Sequence, residues 1–240
     1  MKVRERGDGA GRERVRLTLR GTWRGAVEIV PIALFVLPFG IAFGAAASAK
    51  AVPPEIAVLM SATVYAGASQ FAVLDLWLAP LPLGMLAVTV LAVNARHILL
   101  GATLAPWLLQ LPLARRLLAL SVLSDANFAQ SLAAHERGES DAGVLLGGGL
   151  AMWFPWVLGT TLGASSGALL GDLSRFGFDA VMATYFAAIL CGRWQGRRDV
   201  APWATAAVAS LIAANLLAPG WHIIAGALAG GLAGALAHGD

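Results

Sequence analysis

From Leu76 to Ala114 the chain carries only two titratable side chains, Arg96 and His97, set beside Asn94 in "LAVNARHILL". A run this long without charge is poorly suited to a surface in water. A helix crossing about 30 Å of hydrocarbon, by contrast, needs about 20 such residues. Comparable runs recur from Trp23 onward, and charged residues make up only 13% of the 240, against about 25% in soluble domains. The runs are rich in Gly, Ala and Pro and lack polar/apolar alternation, which favours helices over a barrel. The expected fold class is all-α: a polytopic integral membrane helical bundle. Apolar segments fall near 25–48, 56–78, 83–106, 116–134, 143–170, 177–192, 200–217 and 221–237, predicting about seven to eight spans.

Residues 1–24 read differently. Lys2, Arg4, Arg6, Arg12, Arg14, Arg16, Arg20 and Arg24 stand against Glu5, Asp8 and Glu13, the composition of a solvated basic arm preceding a transmembrane domain over 25–240. The arm accounts for most of the net charge of +3. Anionic headgroups or topology control explain it without nucleic acid. A secretory signal ending at "ASAKA" (47–51) is a competing reading, weakened by the length of the preceding run. With the arm cytoplasmic, Arg137, Arg193, Arg197 and Arg198 fall inside and Lys50, Arg115, Arg116 and Arg175 outside. The bias has the expected sign, but Arg115 and Arg116 mark one segment as re-entrant or miscounted. Cys191, the single cysteine, excludes an intrachain disulfide and a cysteine-built metal cluster, and no cofactor motif is present.

Two pairs of segments echo each other at about the same spacing, consistent with duplicated halves over 25–134 and 143–238. "PPEIAVLMSATVYAG" from Pro53 matches "GFDAVMATYFAAIL" from Gly177, and "VNARHILLGATLA" from Val93 matches "LAPGWHIIAGALAG" from Leu217. The second match aligns His97 with His222 and Gly101 with Gly226.

Polar residues inside the spans carry the functional signal. An arginine at a span centre costs about 2.5–3.5 kcal/mol against about 0.3–0.6 returned per Leu or Ile, so Arg96 should face protein or trapped water. A structural ion pair is the bland alternative. Asp125, in "LSDANFAQS", is the foremost intramembrane acid; read as one helix, 116–134 puts it a turn from Ser121 and in reach of Arg96. "SATVYAGASQF" supplies Ser61, Thr63, Tyr65, Ser69 and Gln70 among small residues, for helix packing or for a zwitterion. In "LPFGIAFGAA", Pro38 with Gly40 and Gly44 predicts a broken or kinked helix.

The segments "LPFGIAFG", "SATVYAGASQFA", "VNARHILLGATLAP", "LSDANFA" and "WVLGTTLGASSGALLG", in that order, resemble AzlC-type permeases, the large subunits of branched-chain amino-acid exporters. The resemblance runs from about Trp23 to the C-terminus. It implies an inner-membrane exporter of branched-chain and similar neutral amino acids, driven by an ion gradient and working with a small multispan subunit of the AzlD type. One departure is Ala126, where the family often has a second carboxylate directly after the acid matched by Asp125. On this reading Arg96 partners the substrate carboxylate. Asp125 with Gln70 or Tyr65 partners the ammonium, Asn94 and Ser69 complete the site, and His97 or Asp125 couples transport to protons. Helices would swing about Pro38 and Gly40. Two other classes compete: a non-transporting scaffold or passive channel, and a hydrolase pairing Ser69 with His97 or His222. Against the hydrolase, Gln70 follows Ser69 where a nucleophile turn needs Gly. "GTTLGASSG" lacks the lysine of a phosphate loop.

Overall fold

Apolar sequence whose backbone must satisfy itself folds as helix, and helix is what dominates the computed structural model. It describes residues 14–77, 79–170, 187, 191, 194, 196–217 and 221–237. In chain order these form α1 (Leu19–Ala49), α2 (Pro54–Thr63), α3 (Gly67–Asp75), α4 (Leu83–Asn94), α5 (Arg96–Leu108), α6 (Leu113–Leu120), α7 (Asp125–Glu136) and α8 (Gly143–Leu170). A 3-10 turn, Arg197–Asp199, leads into α9 (Val200–Leu216), and α10 (Trp221–Ala237) ends the described chain. Among the described residues, four stretches are long and apolar enough to span a bilayer: Leu19–Ala49, Leu83–Leu108, Gly143–Ser166 and Arg197–Leu216, with α10 as a shorter apolar helix. The expected segment 177–192 lies almost entirely outside the described residues.

The chain divides into two compact units, Met1–Ile29 with Leu100–Leu150 and Val30–Leu99 with Ala151–Asp240. In the first, Leu104, Trp107, Leu108, Ala119 and Leu145 form the core, and Trp107 stacks on His135 at 5.3 Å. The Asp141 carboxylate accepts from the amides of Thr18 (3.1 Å) and Gly143 (2.9 Å) and from the Thr18 hydroxyl. One side chain thus closes the starts of both α1 and α8. Arg16 bonds to the backbone of Ser140 and Ala142 beside it. This anchoring starts α1 at Leu19, ahead of the composition change at residue 24.

The segment 116–134 is two helices rather than one, which corrects the placement of Asp125 and Ser121 on one face. α6 has only eight residues, carries Arg115 and Arg116, and is too short to cross; this accounts for their misfit with the charge bias. α7 restarts behind a reciprocal cap in which Ser124 and Asn127 each bond the other's backbone. The fully buried Asn127 also donates to the carbonyls of Val122 (2.9 Å) and Leu145 (3.1 Å).

In the second unit Phe43, Ala47, Val52, Ala57, Leu74 and Trp156 form the core, and α9 and α10 pack on each other as an antiparallel pair. The expected break at Pro38, Gly40 and Gly44 is not there: α1 runs unbroken through Pro31 and Pro38. Proline removes one donor, and neighbouring helices compensate such a loss inside a membrane. The two glycines serve contact. A side-chain carbon on Gly40 would lie 2.6 Å from the Trp156 carbonyl oxygen, and one on Gly44 would strike that of Thr160. Reciprocally, Gly159 abuts the Leu37 carbonyl and Gly163 that of Ile41. Two small-x-x-x-small pairs therefore let the α1 and α8 backbones touch. The breaks lie instead in 56–78, between α2 and α3, and at Ala95, between α4 and α5.

Candidate functional site

Both breaks of the second unit are built from residues that the sequence singled out. Between α2 and α3, Tyr65 adopts a left-handed backbone (φ 45°), unusual for a bulky residue. Ala66 then turns extended, and α3 opens at Gly67 with no side chain capping it. The uncapped start leaves backbone amides and the positive end of a helix dipole inside the protein. In the second span, Leu83–Leu108, Asn94 closes α4 and Arg96 opens α5 across Ala95, whose own backbone stays right-handed helical (φ −53°, ψ −28°), so this interruption is a one-residue discontinuity within the span.

One hydrogen bond joins the two breaks: Asn94 Nδ2 donates to Ser69 Oγ at 3.2 Å, while Ser69 Oγ donates to the Ala66 carbonyl at 2.9 Å. His97 Nδ1 lies 3.2 Å from the Asn94 carbonyl oxygen. Asn94 Oδ1 is buried without a hydrogen-bond partner, an acceptor left open at the junction. Arg96 is half-buried. Ser69, Asn94 and His97 are thereby linked at one junction, with Tyr65 shaping its turn and Arg96 standing between Asn94 and His97 in sequence at the start of α5. Ser69 spends its proton on a backbone carbonyl and accepts from Asn94, so its hydroxyl is bonded to Ala66 and Asn94 rather than to His97 or His222.

Gln70 faces a different set of residues, of which the sequence reading gave Trp156 and Thr160 no role. Its Nε2 donates to Ser61 Oγ (3.0 Å), and its Oε1 accepts from Trp156 Nε1 (3.1 Å). Ser61 Oγ lies 2.7 Å from Thr160 Oγ1, which donates to the Trp156 carbonyl at 2.9 Å. The signal for Trp156 and Thr160 was their spacing of four, which stacks two polar groups on one helix face.

Asp125 belongs to the first unit, as the opening residue of α7 behind its cap Ser124, where a carboxylate meets the positive end of the helix dipole. A cavity of about 330 Å³ in that unit is lined by Arg24, Glu28, Arg137, Glu139 and Ser140. Arg24 pairs there with Glu28 (3.8 Å) and with Glu139, so much of its charge is neutralised internally. Among the described residues no three His, Cys, Asp or Glu gather as a metal site.

The junction and its glycine-packed helix pair lie in a region with known relatives: the family described as AzlC protein matches residues 31–170. The chain belongs to the AzlC family. AzlC proteins are membrane proteins generally linked to amino-acid transport rather than to catalysis. Both breaks, Asp125 and all of α8 fall inside the AzlC match. The chain is 33% identical over 147 residues to the inner membrane protein YgaZ of Escherichia coli strain K12, a match spanning 60% of each chain. It is 32% identical over 213 residues to an uncharacterised membrane protein of Archaeoglobus fulgidus, covering 87% of this chain and 92% of that one. No solved structure shows significant similarity. Family and helices together make this a multi-pass membrane protein.

Proposed function

We propose that this AzlC protein is a secondary transporter that exports branched-chain or similar neutral amino acids across the inner membrane. On this reading it is driven by an ion gradient and works with a small multispan subunit of the AzlD type. The observation that carries the reading is the Asn94–Ser69 bond between two interrupted helices, with Arg96 and His97 beside it. Helix breaks at membrane depth are tolerated where they line a site, and half-helix starts favour an anionic group.

A neutral amino acid is a zwitterion and needs a partner for each charge. The uncapped start of α3 and the Arg96 guanidinium suit the carboxylate. Asn94 Oδ1 is an open acceptor for the ammonium. His97 is the coupling residue of this junction, and Asp125 is the acid assigned to coupling in the first unit. Arg96→Ala should abolish saturable leucine efflux from loaded cells, with Arg96→Lys retaining about a tenth or less, because an ammonium lacks the planar fork. Full efflux in Arg96→Ala with unchanged substrate preference would refute the carboxylate role. Efflux assayed with and without the small subunit tests the two-component reading.

A further inference from the structure

The contacts of Gln70 close into a ring whose hydrogen-bond direction is fully determined. Thr160 Oγ1 gives its one proton to the Trp156 carbonyl, so toward Ser61 it is the acceptor and Ser61 Oγ the donor at 2.7 Å. Ser61 in turn accepts from Gln70 Nε2. Gln70 Oε1 accepts from Trp156 Nε1, and the circuit returns to the residue where it began. Every proton runs one way round, from Gln70 to Ser61 to Thr160 to Trp156 to Gln70. Ser61, Gln70 and Thr160 are at most 1% exposed and Trp156 is 6% exposed, so water does not compete for these bonds. The Trp156 ring is held from a second side by stacking on Phe43 (centroids 5.9 Å, 21°). Its edge comes within 3.0 Å of where a side chain on Gly67 would begin. Gly67 is the first residue of α3, and Gln70 sits one turn on.

We infer that Trp156 and Thr160 are positioning residues for the junction: acting through Gln70 and Ser61, they fix the uncapped start of α3 where a carboxylate is to bind. The inference rests on the transport reading for its consequence, though not for its geometry. Gln70 acts here as the connector between α8 and the break, since both ends of its amide are taken by protein. A substrate that bonded Gln70 directly would have to open the ring and leave Ser61 or Trp156 with an unmet buried group.

Two readouts separate this inference from the function it serves. In a Cys191→Ser background, Ala68→Cys reports the position of the α3 start through its rate of reaction with N-ethylmaleimide in membranes. Thr160→Val keeps shape and removes the hydroxyl; Trp156→Phe keeps the stack on Phe43 and removes the N–H. Each should change the labelling rate about tenfold, the scale of one buried hydrogen bond, and Thr160→Ser should restore it. In vesicles, the same two variants should raise the half-saturating leucine concentration about tenfold at near-normal maximal rate, with Thr160→Ser again wild-type. Unchanged labelling in both variants overturns the inference whether or not leucine moves. Altered labelling with unaltered leucine affinity overturns it too, because the ring would then hold a helix without serving the site. A wild-type protein that shows no saturable leucine flux sinks the transport reading instead, and the labelling arm still decides the geometry. A variant absent from the membrane is replaced by the other, since each breaks a different bond of one ring.

Discussion

At the residue scale, small polar side chains here replace the caps that a membrane span cannot obtain from water. Asp141 is the clearest case, closing two helix starts with one carboxylate. Asp141→Ala should destabilise the folded protein by about 1–2 kcal/mol for each helix end. In detergent this should lower the apparent melting temperature by about 5 °C, and Asp141→Asn, which keeps an acceptor, should lose less. An unchanged melting temperature in Asp141→Ala would mean that the α1 and α8 starts are held by other contacts. Asn127 explains itself on the same terms. This position needs an amide, because Nδ2 serves the Val122 and Leu145 carbonyls while Oδ1 accepts from the Ser124 amide at 2.6 Å. A carboxylate has no N–H to offer those carbonyls.

At the element scale, glycine positions divide into those that touch a neighbouring helix and those that do not. Gly44→Ala places a methyl against the Thr160 carbonyl and should force α1 and α8 apart, costing about 1–3 kcal/mol. Gly101→Ala and Gly231→Ala meet nothing within 4 Å in helical backbone and should be neutral or stabilising by up to about 1 kcal/mol. Thermal unfolding of the three variants checks the contrast; equal losses at all three positions would refute close packing as the role of Gly44. These contacts also show where sequence reading stopped. The apolar runs gave α1, α8, α9 and α10 nearly to their ends, because burial in lipid is written in composition alone. Pro38 with two glycines looked like a break and is a contact, since the same residues serve both and only the opposing Gly159 and Gly163 decide. The true interruptions carry weaker marks: a Tyr65 held in a left-handed turn and an Ala95 with no breaker at all. Ser69, Asn94, Arg96 and His97 were legible as a site because polar groups are costly in such runs. The Gln70 ring was not, for its members Ser61 and Thr160 are 99 residues apart in sequence.

At the scale of the whole molecule, the Asp141 cap fixes a relation between two spans that sequence charge counts address only statistically. Thr18 and Gly143 bind one carboxylate, so the starts of α1 and α8 must lie on the same side of the membrane. α1 has 31 residues, a length of about 46 Å at 1.5 Å per residue, more than the hydrocarbon core. Its far end, at the exposed Lys50, therefore opens on the other side. Arg14 and Arg137, both exposed, flank the shared cap, with Arg16 and Arg20 close by in sequence; by the positive-inside bias we propose that this side is the cytoplasmic one. With Cys191 replaced by Ser, cysteines at Arg14 and Arg137 should react with an impermeant thiol reagent only in inside-out vesicles, and one at Lys50 only in right-side-out ones. Labelling of Arg14 and Arg137 from opposite faces is incompatible with a shared cap. Labelling of both from outside would keep the cap and reverse the orientation, and with it the direction in which the proposed exporter would have to take its substrate.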